Sequence, residues 1–105
     1  MKTSTFSESV RHGQKPWSLK LFVASNSAAS ATAIVQLKRI VAEFLPVGSR
    51  VEIVDLLKEP SAVDSEQVLA IPTLVRKNPE PVRRIIGDLS DIDRVLVLLG
   101  IGPTK

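Results

Sequence analysis

The chain has 105 residues, 44% of them apolar, with 14 Lys and Arg against 11 Asp and Glu for a formal net charge of +3; this is the composition of one globular domain able to bury a core without staples. It contains no cysteine, which excludes disulfides, thiolate metal sites and cysteine nucleophiles and suits a cytoplasmic location. The charge bias is too mild to call for nucleic acid or a membrane surface, no apolar run approaches the ~20 residues of a membrane helix, and residues 1–17 lack the apolar stretch of a secretory signal.

Residues 1–17 read as a polar N-terminal arm, residues 18–101 as the domain and residues 102–105 as a tail. Residues 18–24 alternate as a strand: Leu19, Leu21 and Val23 share one face, and Lys20 and Phe22 share the other. Apolar groups on both faces predict a central strand covered on each side. Ser25, Asn26 and Ser27 supply capping oxygens for a helix, whose stripe runs through Ala33, Ile34, Leu37, Ile40, Val41, Phe44 and Leu45 until Pro46 and Gly48 stop it. Residues 50–57 form a second strand, completing a right-handed βαβ unit with a parallel pair. Residues 61–69 form a short helix with Ser61 as its cap.

Residues 71–76 give a third strand with Pro72 near its start, residues 77–81 a turn with two prolines, and residues 82–86 a fourth strand closing a hairpin. Ser90 and Asp93 read as a capping box for a last helix along Ile92, Val95, Leu96 and Leu99, ended by Gly100, Gly102 and Pro103. The order is β-α-β-α-β-β-α, an α/β fold with a mixed four-stranded sheet.

That order is similar to the thioredoxin-like fold, and Ile71-Pro72-Thr73 resembles its cis-proline element. More specifically, four blocks resemble the KaiB family. They are Lys20-Leu21-Phe22-Val23-Ala24-Ser25-Asn26-Ser27; Val54-Asp55-Leu56-Leu57-Lys58-Glu59-Pro60; Leu69-Ala70-Ile71-Pro72-Thr73-Leu74; and Pro81-Val82-Arg83-Arg84-Ile85-Ile86-Gly87-Asp88-Leu89-Ser90. The resemblance implies a non-catalytic clock protein that docks on a KaiC-type ATPase and modulates its phosphorylation state; in cyanobacteria such proteins then capture KaiA and compete with SasA-type kinases for the same KaiC surface. It implies monomers, dimers or tetramers, and a C-terminal half able to rearrange. It places the docking surface on Lys58, Pro60, Val68, Leu69 and Ala70, next to Pro72. The alternative is an adaptor outside a clock, for example in a stress response. Two departures bear on this. Glu52 stands where the cyanobacterial proteins carry a lysine implicated in holding KaiA, which argues against KaiA capture. Leu98 stands where they carry glycine, which favours the thioredoxin-like form by up to ~1 kcal/mol.

The position of the thioredoxin Cys-x-x-Cys motif falls in residues 25–30 and holds serines, so dithiol exchange has no reagent. Helix capping accounts for Ser25, Ser27 and Ser30 better than nucleophilic catalysis, since the lone His12 is in the arm. No catalytic, cofactor-binding or metal-ligating residues are assigned. Arg76, Lys77, Arg83 and Arg84 on the hairpin predict a basic patch, read equally as edge-strand protection or a protein interface; without interleaved aromatics it does not suit nucleic acid. Asp55 or Asp88 is the expected carboxylate partner of one of the paired arginines.

Overall fold

The computed structural model describes residues 15–68 and 70–101; the arm as far as residue 14 with His12, Leu69, and the tail with Gly102 and Pro103 lie outside the described residues. Four strands, β1 (Ser18–Val23), β2 (Arg50–Asp55), β3 (Thr73–Asn78) and β4 (Arg83–Ile86), alternate with three helices, α1 (Ala28–Phe44), α2 (Ala62–Ser65) and α3 (Ile92–Leu99). The sheet order is β2-β1-β3-β4. β1 pairs parallel with β2, as the βαβ unit requires, and antiparallel with β3, while β3 and β4 form the hairpin. The mixed α/β sheet is therefore the one expected, with β1 at its centre.

The alternation in β1 divides the interior in two. Leu19, Leu21 and Val23 join the larger cluster with Ala33, Leu37 and Ile40 of α1 and Val95, Leu96 and Leu99 of α3. Phe22 points the other way and joins Val54, Val75, Ala62 and Val68. Among the described residues, no helix is long and apolar enough to cross a membrane.

Local chemistry sets the ends of the elements. The Ser27 hydroxyl caps α1 by accepting from the Ser30 N–H at 3.1 Å. Phe44, predicted as part of the buried stripe, is exposed, while Leu45 beyond the last turn is buried; the chain leaves the helix there ahead of Pro46, and the core follows that bend. β2 ends two residues before the expected position because the Asp55 carboxylate accepts from the Leu57 N–H at 3.0 Å and turns the chain. β3 begins at Thr73, since Pro72 has no N–H for the ladder.

Three expectations for the helices need correction. α2 is only four residues long and Ser61 makes no side-chain cap; its backbone is already helical (φ −64°, ψ −19°), so its hydroxyl is not placed to cap. Gln67 with φ +56° breaks the chain away from the helix before residue 69. At α3 the cap is Asp91, which accepts from the Arg94 N–H at 3.2 Å, and the Ser90 N–H instead donates to Asp88. Gly100 ends α3 at φ +89°, and a side chain there would meet the Arg76 guanidinium at 3.0 Å, so both backbone and space require glycine.

Candidate partner-docking site

The segment between β2 and β3 crosses the Phe22 face of the sheet. A one-turn helix cannot hold itself together, so its position depends on what lies beneath it. Ala62 and Val68 pack against Phe22, Val54 and Val75, and one carboxylate completes the attachment. Glu66 accepts from Lys20 of β1 at 3.0 Å and from Lys77 of β3 at 3.0 Å. Its carbonyl accepts from Arg84 of β4 at 3.1 Å, and Glu52 of β2 lies 3.8 Å from the same Lys20 ammonium. Glu66, just after α2, is thus tied directly to charged side chains from β1, β3 and β4, and through Lys20 to Glu52 of β2. The ammonium of Lys77, then that of Lys20, holds the Glu66 carboxyl below its ordinary value, and Glu66 in turn raises Lys20.

This attachment predicts a pH dependence. With its folded-state pKa depressed from 4.5, Glu66 contributes stability that is present above that value and is lost as pH falls through the lower, folded-state one. Urea midpoints of the wild type and Glu66→Gln, compared at pH 7 and through the acid range, are expected to converge as the medium acidifies below about pH 4.5. A constant difference between the two proteins contradicts this.

Above the attachment, Lys58 and Pro60 are exposed and Val63 is 40% exposed. Val63, Asp64, Gln67, Val68 and Arg84 line a shallow pocket of about 510 Å³. Of the residues expected to meet a partner here, Lys58 and Pro60 are open to solvent and Ala70 is partly so. Val68 is buried against the sheet, so it supports the surface rather than forming it. Leu69 lies outside the described residues. The Ile71–Pro72 peptide is cis; the Pro72 carbonyl accepts from Gly87 at 3.0 Å, and the Thr73 hydroxyl donates to Ala70 at 2.5 Å, fixing the corner beside α2.

The expected basic patch is not one surface. Arg76 is only 5% exposed. It donates to the carbonyls of Leu99 and Pro81, and its guanidinium lies 5.3 Å from the centroid of the Trp17 ring. Burial, then the neighbouring Arg83, lowers its pKa. Arg76 pairs with Leu19 and, two residues from Leu74, shares its core side, while Lys77 falls on the Glu66 side; the bulge at Ser18/Leu19 lies just beyond this pair. Arg83 and Arg84 are exposed and lie on opposite faces. Neither takes the predicted carboxylate: Asp55 accepts from Leu57 and Ser25, Asp88 accepts from Ser90, and Arg84 goes to the Glu66 carbonyl. The role of Glu66 was not read from the sequence, although a lysine at position 20 of an otherwise apolar central strand was the signal for a buried-side partner.

Where thioredoxins hold their dithiol, Ser27 and Ser30 are engaged as acceptors of backbone N–H groups, the latter buried and 3.0 Å from the Ala24 nitrogen. Among the described residues, no three His, Cys, Asp or Glu side chains gather as a metal site. The arrangement offers a recognition surface on a pinned short helix.

Comparison with known proteins gives this surface a context. A curated relative, the circadian clock oscillator protein KaiB of Synechococcus sp. RCC307, is 45% identical over 89 residues, covering 84% of this chain and 80% of its own. The circadian clock protein KaiB3 of Synechocystis sp. PCC 6803 is 40% identical over 85 residues, covering 81% and 83%. Among solved structures, the N-terminal domain of Synechococcus elongatus SasA superposes with a TM-score of 0.63 at 21% identity, covering 88% of this chain and 90% of its own. The Drosophila thioredoxin Deadhead gives 0.65 at 12% identity, covering 94% and 92%; both likenesses establish the thioredoxin-like fold. The KaiB domain model matches residues 20–101. From Lys20 in β1 to Ile101 just beyond α3, the chain belongs to the KaiB family.

Proposed function

We propose that this chain is a non-catalytic clock-regulatory protein of the cytoplasm that docks on a KaiC-type ATPase through the α2 face and modulates its phosphorylation state. The observation that carries this reading is the α2 segment itself: Lys58, Pro60 and Val63 face solvent while Glu66 and Phe22 secure the segment from below. An exposed apolar residue on a rigid support loses little freedom on binding, so more of its burial is kept as affinity. The match to KaiB clock proteins over most of the chain supports the choice of partner.

Val63→Asp is expected to weaken binding to a KaiC-type ATPase by roughly tenfold or more, as for an interface residue worth over ~1 kcal/mol, and Lys58→Ala by less. Titration calorimetry on folded variants reads both. Unchanged affinity in both variants removes the α2 face from the interface.

A second reading, an adaptor that binds another partner outside a clock, for example in a stress response, is favoured by Glu52. That carboxylate is 68% exposed on edge strand β2 and 3.8 Å from Lys20, which makes this edge unlike the lysine-bearing one expected of a KaiA-binding relative. An intact, folded chain with no measurable affinity for the ATPase selects this alternative.

A further inference from the structure

At the end of the sheet away from α2, a pocket of about 630 Å³ opens between the residues entering β1, the α1–β2 turn and the β3–β4 loop. Its size is that of small-molecule sites, roughly 300–1,000 Å³. Pro16, Trp17 and Pro79 form apolar walls, Lys15, Arg50 and Asn78 are its long polar side chains, and no acidic residue lines it.

The two cations stand on segments that are stitched together. The Trp17 N–H donates to the Ser49 hydroxyl at 2.9 Å, and the Arg50 N–H donates to the Trp17 carbonyl at 2.8 Å. Neither Lys15 nor Arg50 has a carboxylate partner among the described residues. Behind the indole lies a third cation, Arg76, 5% exposed, facing two carbonyls and no carboxylate, with its Nε unpartnered. Two cations therefore line the pocket and a third lies 5.3 Å from the centroid of its Trp17 ring, with no carboxylate partner for any of them among the described residues. Positive charge gathered in a partly sheltered concavity raises the local concentration of anions, and a buried guanidinium without a counter-charge is a group that an anion nearby stabilises.

We propose that this pocket binds a nucleoside monophosphate, with the phosphate between Lys15 and Arg50 and the base against the wall of Pro16, Trp17 and Pro79. Guanidinium matches phosphate in shape and charge, a flat base gains from contact with an aromatic wall, and the Asn78 amide supplies both a donor and an acceptor for a base edge. Ser18 pairs with Arg50 on one side and Asn78 on the other, whereas α2 follows Asp55 at the opposite end of the strands. The pocket and the docking face therefore lie at different ends of the sheet, and this inference does not depend on the partner assigned above.

Trp17 is the chain's single tryptophan, so its emission reports occupancy directly. Titration of the full chain with adenosine monophosphate is expected to change that emission saturably, with adenosine and inorganic phosphate each at least roughly tenfold weaker. Arg50→Ala is expected to weaken adenosine monophosphate by roughly tenfold or more, the effect of losing one charge-assisted contact, without moving the thermal unfolding midpoint. Equal affinity in Arg50→Ala, inorganic phosphate binding as tightly as the nucleotide, or no saturable response in Trp17 emission or in the amide shifts of Lys15, Trp17 and Ser18, overturns the proposal.

Discussion

Phe22→Ala is expected to cost about 3–5 kcal/mol of folding stability, the range for deleting a buried aromatic. Phe22 is fully buried in the central strand and is the one aromatic of the smaller cluster, where Val54, Val75, Ala62 and Val68 surround it. These neighbours come from both adjacent strands and from the α2 segment, so no single element can close over the hole. The Lys20 ammonium, 5.9 Å from the ring centroid, also loses its aromatic neighbour. A domain of this size has only about 5–15 kcal/mol in total, so the variant is left with a small margin. The loss is also local in character. Residues 62–68 are held by this cluster and by Glu66, and amide exchange there is expected to approach that of an unfolded loop before the α1 amides respond. Guanidinium unfolding with exchange mass spectrometry measures both. A cost below about 1 kcal/mol, or uniform loss of protection across the chain, contradicts this account of α2.

Arg76→Ala is expected to cost about 2–4 kcal/mol. The guanidinium donates to Leu99 at the end of α3 and, at 2.8 Å, to Pro81 in the β3–β4 loop. Losing it leaves both carbonyls without that donor and opens a hole beneath Trp17. Hydrogen bonds from a charged donor are worth about 1.5–3 kcal/mol each. Against this stands the cost of holding a cation out of water, visible in the pKa that burial and Arg83 depress. Arg76→Met keeps most of the packing and removes the buried charge, so it is expected to be the milder of the two. Thermal and urea unfolding, followed through Trp17 emission, ranks them. Two variants as stable as wild type, or Met worse than Ala, contradict the role given to Arg76.

Arg76 also marks the limit of what the sequence made legible. On a hairpin rich in basic residues it read as surface because of its charge, although alternation puts it on the same face as the buried Leu74 two residues before. The pairing is regular from Thr73 to Arg76; what the sequence did not show is the pair of carbonyls, of Leu99 and Pro81, that take up the buried guanidinium. The rest of the sheet was readable, since the alternation of Leu19, Leu21 and Val23 against Phe22 separates the two sides of the core, and the βαβ unit fixes the parallel pair.

The construction of the face proposed for docking was not legible in the sequence. Lys58 and Pro60 are exposed as expected, whereas the depth of Val68 depends on packing against Phe22, Val54 and Val75, and the role of Glu66 on contacts spanning 11 and 46 positions along the chain, to Lys77 and Lys20. Short helices escape periodicity, because four residues complete barely one turn. Caps were misread for a related reason. Ser61 and Ser90 are good capping residues in isolation, but the neighbouring backbone puts Ser61 inside the turn and hands the α3 cap to Asp91.

The most direct measurement of the central claim is amide hydrogen exchange of the full chain with and without a KaiC-type ATPase. Protection concentrated in residues 57–68 and 70–72, and abolished together with complex formation by Val63→Asp, is the predicted result. Protection confined to α1 and the β2 edge, with residues 57–68 unchanged in a stable complex, contradicts it.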